Sequence, residues 1–493
     1  MDWKLFWTKL YFGFLNLTES PYTVVLKLLN GVRKMAGLLS IYHKLPASLQ
    51  DLALSAYGLL LRRLRYGRTF HQMVARLEAE DADPFFDQSE RLNMLIAVAL
   101  HGSEHYRQLF RTHPLCASRI GVSNFTKVFP VLEKATVKDN LSAFYNNSFK
   151  KNDTITLNTS GTTGTPLNVL ATKQSVMENY AFFDVFLRSI GVDEFCRSAT
   201  FAGRLVVPEK NKTPPYWRKN YAMNTLLCSS YHLNADTIPL YIKALEEWQP
   251  IYIDSYPSAI YEVASFINEN QLEHQIRLKA VVTSSETLGV HQREAIERAF
   301  KCSVFDQYGC AEMAVMAYQQ RDGRYFIPPR YAIAEVLDDN DNPVSPGESG
   351  HLVCTGLLNQ AMPLIRYRLG DIVKTSKEQL EGYPFITFLD SIEGRNDDVI
   401  ITSSGYRVGR LDPVFKGIIG ISETQIVQKS DALVEVKLVV SRGYTQETEG
   451  HIRVALQDRL GKTMQIKFEY LDYIPREKNG KFKAVKSELG QHL

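Results

Sequence analysis

Nine consecutive residues, Asn158-Thr159-Ser160-Gly161-Thr162-Thr163-Gly164-Thr165-Pro166, crowd hydroxyls and glycines into one short stretch. They follow Thr154-Ile155-Thr156-Leu157, whose alternation predicts a strand. Glycines let the backbone approach a ligand and turn its N–H groups inward. The hydroxyls of Thr159, Ser160, Thr162 and Thr163 add donors. Such a loop suits a polyanion, above all the phosphates of a nucleotide. It is not the lysine-containing phosphate loop, because no Gly-Lys-Ser/Thr follows Gly164. Loops rich in Ser, Thr and Gly also serve as plain connections, so residues downstream must decide.

Four clusters follow in order. Tyr308-Gly309-Cys310-Ala311-Glu312 sets a carboxylate one turn past a predicted strand. Tyr367-Arg368-Leu369-Gly370-Asp371 sets another beside a glycine. Gly394-Arg395-Asn396-Asp397-Asp398, followed by Ser404-Gly405-Tyr406-Arg407, mixes both charges at a change of texture. Pro475-Arg476-Glu477-Lys478-Asn479-Gly480-Lys481 is a basic loop near the end. Each has a bland reading. Glu312 would cap a following helix. Asp371 beside glycine would be a turn residue. Lys478, Lys481 and Lys483 would form a solvated face.

The elements that must carry these residues fall into three parts. Residues 1–120 predict helices, as in Leu59–Leu64 and Arg91–Leu100. From about 150 to 390, short β-branched runs alternate with helical patterns, which predicts a mostly parallel sheet with crossover helices. Ile251–Asp254, Lys279–Thr283 and Ser303–Asp306 read as strands, and Gln292–Phe300 as a helix. Each of these strands runs into a polar turn: Ser255–Ser258, Ser284–Thr287 and Gln307–Glu312. Ligands of α/β sheets bind beyond the carboxyl ends of strands, so these turns sit where a site belongs. After Gly394 a small α+β unit is expected. It has strands at Ile421–Gln428 and Leu433–Val440, a helix at Thr445–Leu460 and a strand at Met464–Tyr470. The fold expected is α/β: a helical part (1–120), a core with mixed sheets (121–394) and a mobile α+β domain (395–493).

A chain of 493 residues exceeds one core. A net charge of +3 gives no support for nucleic acid as a partner. Six scattered cysteines without a CxxC pair exclude a disulfide framework and a zinc ribbon, and point to a reducing, cytoplasmic setting. No apolar run is long enough to span a bilayer. The aromatic and basic residues of positions 1–45 leave two readings open: peripheral membrane contact, or an amphipathic helix docked on the protein itself. Oligomeric state is not indicated.

The ordered set of motifs resembles the adenylate-forming superfamily, in the branch of phenylacetate–coenzyme A ligases and their CapK-like relatives. The resemblance spans roughly residues 50–490 and rests on Thr159–Gly164, Gly394–Asp398 and the terminal Gly480-Lys481. It implies that a small-molecule carboxylic acid attacks the α-phosphorus of ATP and pyrophosphate leaves. A thiol such as coenzyme A, or an amine, then displaces AMP. It implies that Thr159, Ser160, Gly161, Thr162, Thr163 and Gly164 hold phosphates, and that Glu312 binds Mg²⁺. Asp371 would accept the ribose hydroxyls. Ser285, Glu286, Tyr308 and Gly309 would frame the adenine. Lys481 would bridge the α-phosphate and the substrate carboxylate. Asp397 would be the hinge of the moving domain, and Arg395 and Arg407 phosphate or interdomain contacts.

The chain departs from the wider superfamily in lacking a lysine after Pro166. The stretch Tyr318–Gly323 has no cysteine, so no structural zinc is expected. Phe201–Arg204, Tyr231, His232 and Tyr256–Ser258 are candidate pocket liners, with His232 equally read as a structural histidine. Cys310 reads as a packed residue rather than a nucleophile. Three functions remain open: transfer to coenzyme A, transfer to an amine in surface-polysaccharide assembly, or a nucleotide-binding scaffold.

Overall fold

The computed structural model describes residues 42–79, 84–112, 120–158, 167–202, 206–208, 211–395, 400–401, 407–408, 411–415, 418, 420–441, 443–476 and 482–489. Four helices come first: α1 (Ala47–Arg65), α2 (Arg68–Glu78), α3 (Pro84–Gly102) and α4 (Glu104–Thr112). Next, β1 (Thr154–Asn158) pairs antiparallel with β2 (Asn168–Thr172), and Asn158 lies opposite Asn168. This pair stands apart from the main sheet. It holds the two ends of the hydroxyl-rich loop in fixed register.

Helix α5 (Lys173–Ser189) follows; its N-cap Thr172 accepts from the Ser175 N–H at 2.9 Å. The main sheet then builds from β3 (Ser198–Ala202), β4 (Trp217–Asn220), β5 (Thr225–Ser229), β6 (Tyr252–Ser255), β7 (Ala280–Ser284) and β8 (Ser303–Gly309). Helices α6 (Ile238–Trp248), α7 (Pro257–Glu269) and α8 (Val290–Phe300) make its crossovers. Strands β8, β7, β6, β3 and β5 are parallel neighbours in that order.

The sheet continues through β9 (Met316–Gln319), β10 (Tyr325–Phe326), β11 (Ala332–Leu337), β12 (Ser349–Gly356), β13 (Tyr367–Thr375) and β14 (Phe388–Arg395). These pairings are antiparallel, so the expectation of a mostly parallel sheet holds only for residues 198–309. The cause is connection length. Segments such as 310–315 can close a hairpin, but a parallel return needs a dozen or more residues.

Strand β7 shows how the layers are held. Ala280 and Val282 enter an apolar cluster with Phe186, Val315 and Tyr367. Val281 enters a different cluster with Leu245, Ile260 and Ile296 of α6–α8. Alternate side chains thus bury on opposite faces, which is why the strand reads as one unbroken apolar run. Each fully buried aliphatic side chain stabilises by about 1.5–3 kcal/mol.

The C-terminal unit has short β15 (Ile400–Ile401) and β16 (Arg407–Val408), then β17 (Ile421–Ser430), β18 (Leu433–Val440), α9 (Gln446–Leu460), β19 (Gln465–Tyr470) and β20 (Val485–Ser487). Its sheet order is β19-β18-β17-β20. Val434, Val436 and Leu438 bury one face against Ile452 and Leu456 of α9, forming a separate core. Among the described residues, no helix is long and apolar enough to cross a membrane. Positions 1–41, which carry most of the expected membrane contact, lie outside the described residues.

Candidate active site

Strands β7 and β8 end side by side, with Ser284 opposite Gln307. Ser285 and Glu286 lie in the turn after β7, Tyr308 and Gly309 end β8, and Glu312 lies in the turn that follows it. Past β8, the turn at Cys310–Met313 closes with the Met313 N–H donating to the Cys310 carbonyl at 3.1 Å. Met313 takes φ of 55°, a left-handed conformation that surrounding structure must enforce. Gly356 at the end of β12 provides that enforcement, because a Cβ there would overlap the Met313 carbonyl oxygen. No helix follows Glu312, so the capping reading fails.

Glu312 is 4% exposed. Its Oε1 accepts from the Tyr367 hydroxyl at 3.1 Å and faces Lys134 Nζ at 3.2 Å. Lys134 opens a short helix, Lys134–Asp139. The segment before it is stitched to β13: the Leu132 N–H donates to the Arg366 carbonyl, and the Arg368 N–H to the Leu132 carbonyl. Burying a carboxylate is costly without such partners. Among the described residues Oε2 has no partner, and no group of three or more His, Cys, Asp or Glu side chains gathers as a metal cage. One carboxylate with a free oxygen suits Mg²⁺ carried in on phosphates rather than a dedicated protein cage.

The Tyr308 hydroxyl donates to Asp371 Oδ2 at 2.6 Å. The ring expected against adenine is therefore tied to the carboxylate expected on ribose. Burial and the neighbouring Asp371 carboxylate both push the Tyr308 hydroxyl well above its usual range, so it stays a donor. Asp371 lies on β13 opposite Arg395 on β14. Gly394, with φ of 100°, brings its backbone near Thr287 in the turn after β7. The end of β8, Asp371 on β13, Gly394 on β14 and the turn after β7 therefore meet.

Glu286 uses both oxygens. Oε2 accepts from the Ser258 N–H at 3.1 Å, which supplies an anionic cap to α7. Oε1 accepts from the Phe482 N–H at 2.7 Å, so the turn after β7 holds the C-terminal unit. Burial raises the Glu286 carboxyl above its usual range, against the pull of these two N–H groups. Beside it, Arg476 pairs with Glu262 on α7 and Glu423 on β17, and its guanidinium lies 4.6 Å from the Phe482 ring centre. Sequence reading did not find this bridge, since only the docked domains bring Glu262 to Arg476.

A cavity of about 210 Å³ opens at the ends of β7 and β8, lined by Asn179, Ser284, Ser285, Gln307, Gly309, Cys310, Val315, Met316 and Tyr331. Ser285 and Gly309, expected around adenine, thus line this space. The expected liners Phe201, His232 and Tyr256–Ser258 do not. Phe201 is wholly buried, and His232 stacks on Tyr216 while its Nδ1 lies 2.7 Å from Ser229 Oγ. Asn179 and Tyr331 carried no local signal in the sequence. Burial pushes the Cys310 thiol up to about 12, which suits a packed residue and not a nucleophile.

Thr159, Ser160, Gly161, Thr162, Thr163, Gly164, Asp397 and Lys481 lie outside the described residues, as does Arg204. Arg395 and Arg407 are described only through the strands β14 and β16.

Comparison with known proteins bears on this arrangement. Residues 113–362 match the model of the AMP-binding enzyme family, and residues 400–488 match the CapK C-terminal domain. The protein CapK of Staphylococcus aureus is 27% identical over 446 residues, covering 90% of this chain and 97% of its own length. The phenylacetate–coenzyme A ligase of Pseudomonas putida is 24% identical over 189 residues, covering 37% of this chain and 42% of the relative. Among solved structures, 2-hydroxyisobutyryl-CoA ligase in its postadenylation state aligns with a TM-score of 0.63 at 17% identity, over 82% of this chain and 89% of that one. That likeness shows the fold. The chain belongs to the AMP-binding enzymes: it is an AMP-forming ligase of the adenylate-forming superfamily, in its CapK-like and phenylacetate–coenzyme A ligase-like branch.

Proposed function

We propose that this enzyme activates a carboxylic acid with ATP and passes the acyl group to coenzyme A. One observation carries the reading: Tyr308, Asp371, Glu312 and the Phe482–Glu286 tie converge at the carboxyl ends of β7 and β8. A carboxylate oxygen forms a bond to the α-phosphorus, and the bond from that phosphorus to the β-bridging oxygen breaks. Pyrophosphate carries off the electron pair, leaving an acyl-adenylate. The thiolate of coenzyme A then bonds to the acyl carbon and AMP departs. Such chemistry depends on positioning and on charge stabilisation. Tyr308 and Asp371 orient the nucleoside, and Glu312 holds Mg²⁺, which supplies positive charge at the phosphates when bound. Residues 159–164 grip the phosphates, and Lys481 bridges the α-phosphate and the acid.

Pyrophosphate release that requires both ATP and an acid tests this. A folded protein that releases none across a broad acid panel overturns it, whereas unchanged release by Lys481→Ala overturns only the role given to Lys481. A second acceptor, an amine of a surface-polysaccharide precursor, is favoured by the CapK C-terminal match and the 97% coverage of the CapK relative. Mass spectrometry of the product, with and without coenzyme A, separates the two: an acyl thioester supports the first, an amide formed without coenzyme A the second.

A further inference from the structure

Helix α1 carries apolar residues on two opposite faces. Tyr57, Gly58 and Leu61 are buried on its inner face, towards β4. Gly58 admits Asn220 there, because a Cβ would overlap the Asn220 side chain. Gln50 accepts from the Arg218 guanidinium, and Asp51 accepts from the Lys219 N–H at 2.9 Å. These contacts fix which way the helix faces. Leu49, Leu52, Ala56 and Leu59 recur at helical spacing on the opposite side. Leu52 is 62% exposed and Leu59 59% exposed. Tyr221, at 58%, widens the stripe, since its N–H donates to Ser55 Oγ at 3.0 Å. Single exposed leucines are ordinary on a protein surface, but a regular stripe marks an interaction face.

Charge says what the face fits. Exposed Lys44 precedes the stripe, and exposed Arg62 and Arg63 flank its far end. The acid on α1, Asp51, is turned to the Lys219 N–H. The chain enters the helix from residues 1–41, which hold Lys4, Lys9, Lys27, Arg33 and Lys34 against Asp2 and Glu19. That stretch therefore accounts for the whole net charge of +3, and residues 42–493 are balanced. Trp3, Phe6, Trp7, Tyr11 and Phe12 stand among its lysines. Leucine and aromatic side chains beside lysine and arginine suit the boundary between acyl chains and anionic headgroups. A second copy of the chain would instead bring like charge to like charge.

We infer that the outer face of α1, with Tyr221 and the basic segment leading into the helix, docks on an anionic lipid surface. Leu52 and Leu59 enter the acyl boundary while Lys44, Arg62 and Arg63 meet the headgroups. Docking through α1 leaves the turns after β7 and β8, at the far end of the parallel strands from the start of β4, to the reaction. The inference stands apart from the choice of acid and acceptor.

Sedimentation of the full-length protein with vesicles tests this. One set holds equal parts phosphatidylglycerol and phosphatidylcholine, the other phosphatidylcholine alone. Partition into the anionic set should be stronger by about tenfold or more, and should weaken at about 0.5 M salt. Leu52→Glu with Leu59→Glu should weaken it about tenfold or more, with an unchanged thermal midpoint. No sedimentation, or equal sedimentation with both lipid sets, overturns the inference. Equal sedimentation of variant and wild type overturns the part given to α1. A lowered midpoint in the variant means that the chain itself covers the stripe, and also overturns it. So does a dimer, seen by light scattering, that the two substitutions split.

Discussion

The Phe482 N–H lies 2.7 Å from Glu286 Oε1, so the residue after Lys481 is anchored to the turn beyond β7. The same carboxylate caps α7 through the Ser258 N–H. One side chain therefore couples docking of the C-terminal unit to the large sheet.

Glu286→Ala removes both bonds. The lost helix cap costs about 1 kcal/mol, visible as a lower thermal midpoint. Acid-dependent pyrophosphate release should fall by about tenfold or more, since misplacement of a distant group costs that much in rate. Acyl transfer from preformed acyl-adenylate should suffer less. Equal loss in both half-reactions would show that Glu286 does not act through docking.

Arg476 bridges Glu262 and Glu423 across the same boundary. Burial, reinforced by the Glu423 carboxylate, pushes the Glu262 carboxyl up to about 8, against the pull of Arg476. Tyr241 and Glu286 are the other titratable groups that feel this cluster. When undocked, Glu262 is solvated and has its ordinary value near 4.5. A carboxyl raised on docking favours the docked state below about 4.5, and that contribution is lost as pH rises towards 8. Energy transfer between dyes on the two units should therefore decline from pH 5 to pH 9. In Glu262→Gln the profile should flatten. A wild-type profile without slope rules out proton-linked docking.

Lys134→Met leaves Glu312 buried beside Tyr367 without its cation. Lys134 is partly exposed, so the expected loss is modest, about 1–2 kcal/mol. If Glu312 also receives Mg²⁺ with ATP, the bound cation compensates, and Mg–ATP should restore more of the midpoint in the variant than in wild type. Differential scanning fluorimetry reads both. Equal shifts in the two proteins would separate Lys134 from the metal role proposed for Glu312.

Tyr308→Phe deletes the donor to Asp371, and Asp371→Ala deletes the acceptor. A hydrogen bond to a charged group contributes about 1.5–3 kcal/mol. KM for ATP should rise about tenfold or more for either variant. The double variant should cost less than the sum, because the two side chains share one bond. Full additivity by steady-state kinetics would mean that they act independently.

The candidate residues that the structure brings together were legible along the chain where they cluster at strand ends and in the turns that follow. Tyr308 near the end of β8 and Glu312 in the turn that follows lie within one five-residue stretch. Strand β7 was legible from its apolar run. Other features were not, because their partners meet only in space. Lys134 reaches Glu312 from a segment stitched to β13 by Leu132, with no periodicity to mark it. Asn179 and Tyr331, 152 positions apart, meet only in the fold, where the Tyr331 hydroxyl donates to the Asn179 amide beside the cavity.

By itself, the sequence determined the adenylate-forming family, the order along the chain of the hydroxyl-rich loop, the Tyr308–Glu312 and Tyr367–Asp371 clusters and the terminal Gly480-Lys481, and the α/β core with its small C-terminal unit. Local backbone chemistry writes these into short, contiguous stretches. Only the tertiary structure decided where the sheet turns antiparallel, which carboxylates face Arg476, and which polar groups line the cavity. Those depend on long-range pairing, which brings together residues that carry no local signal of one another.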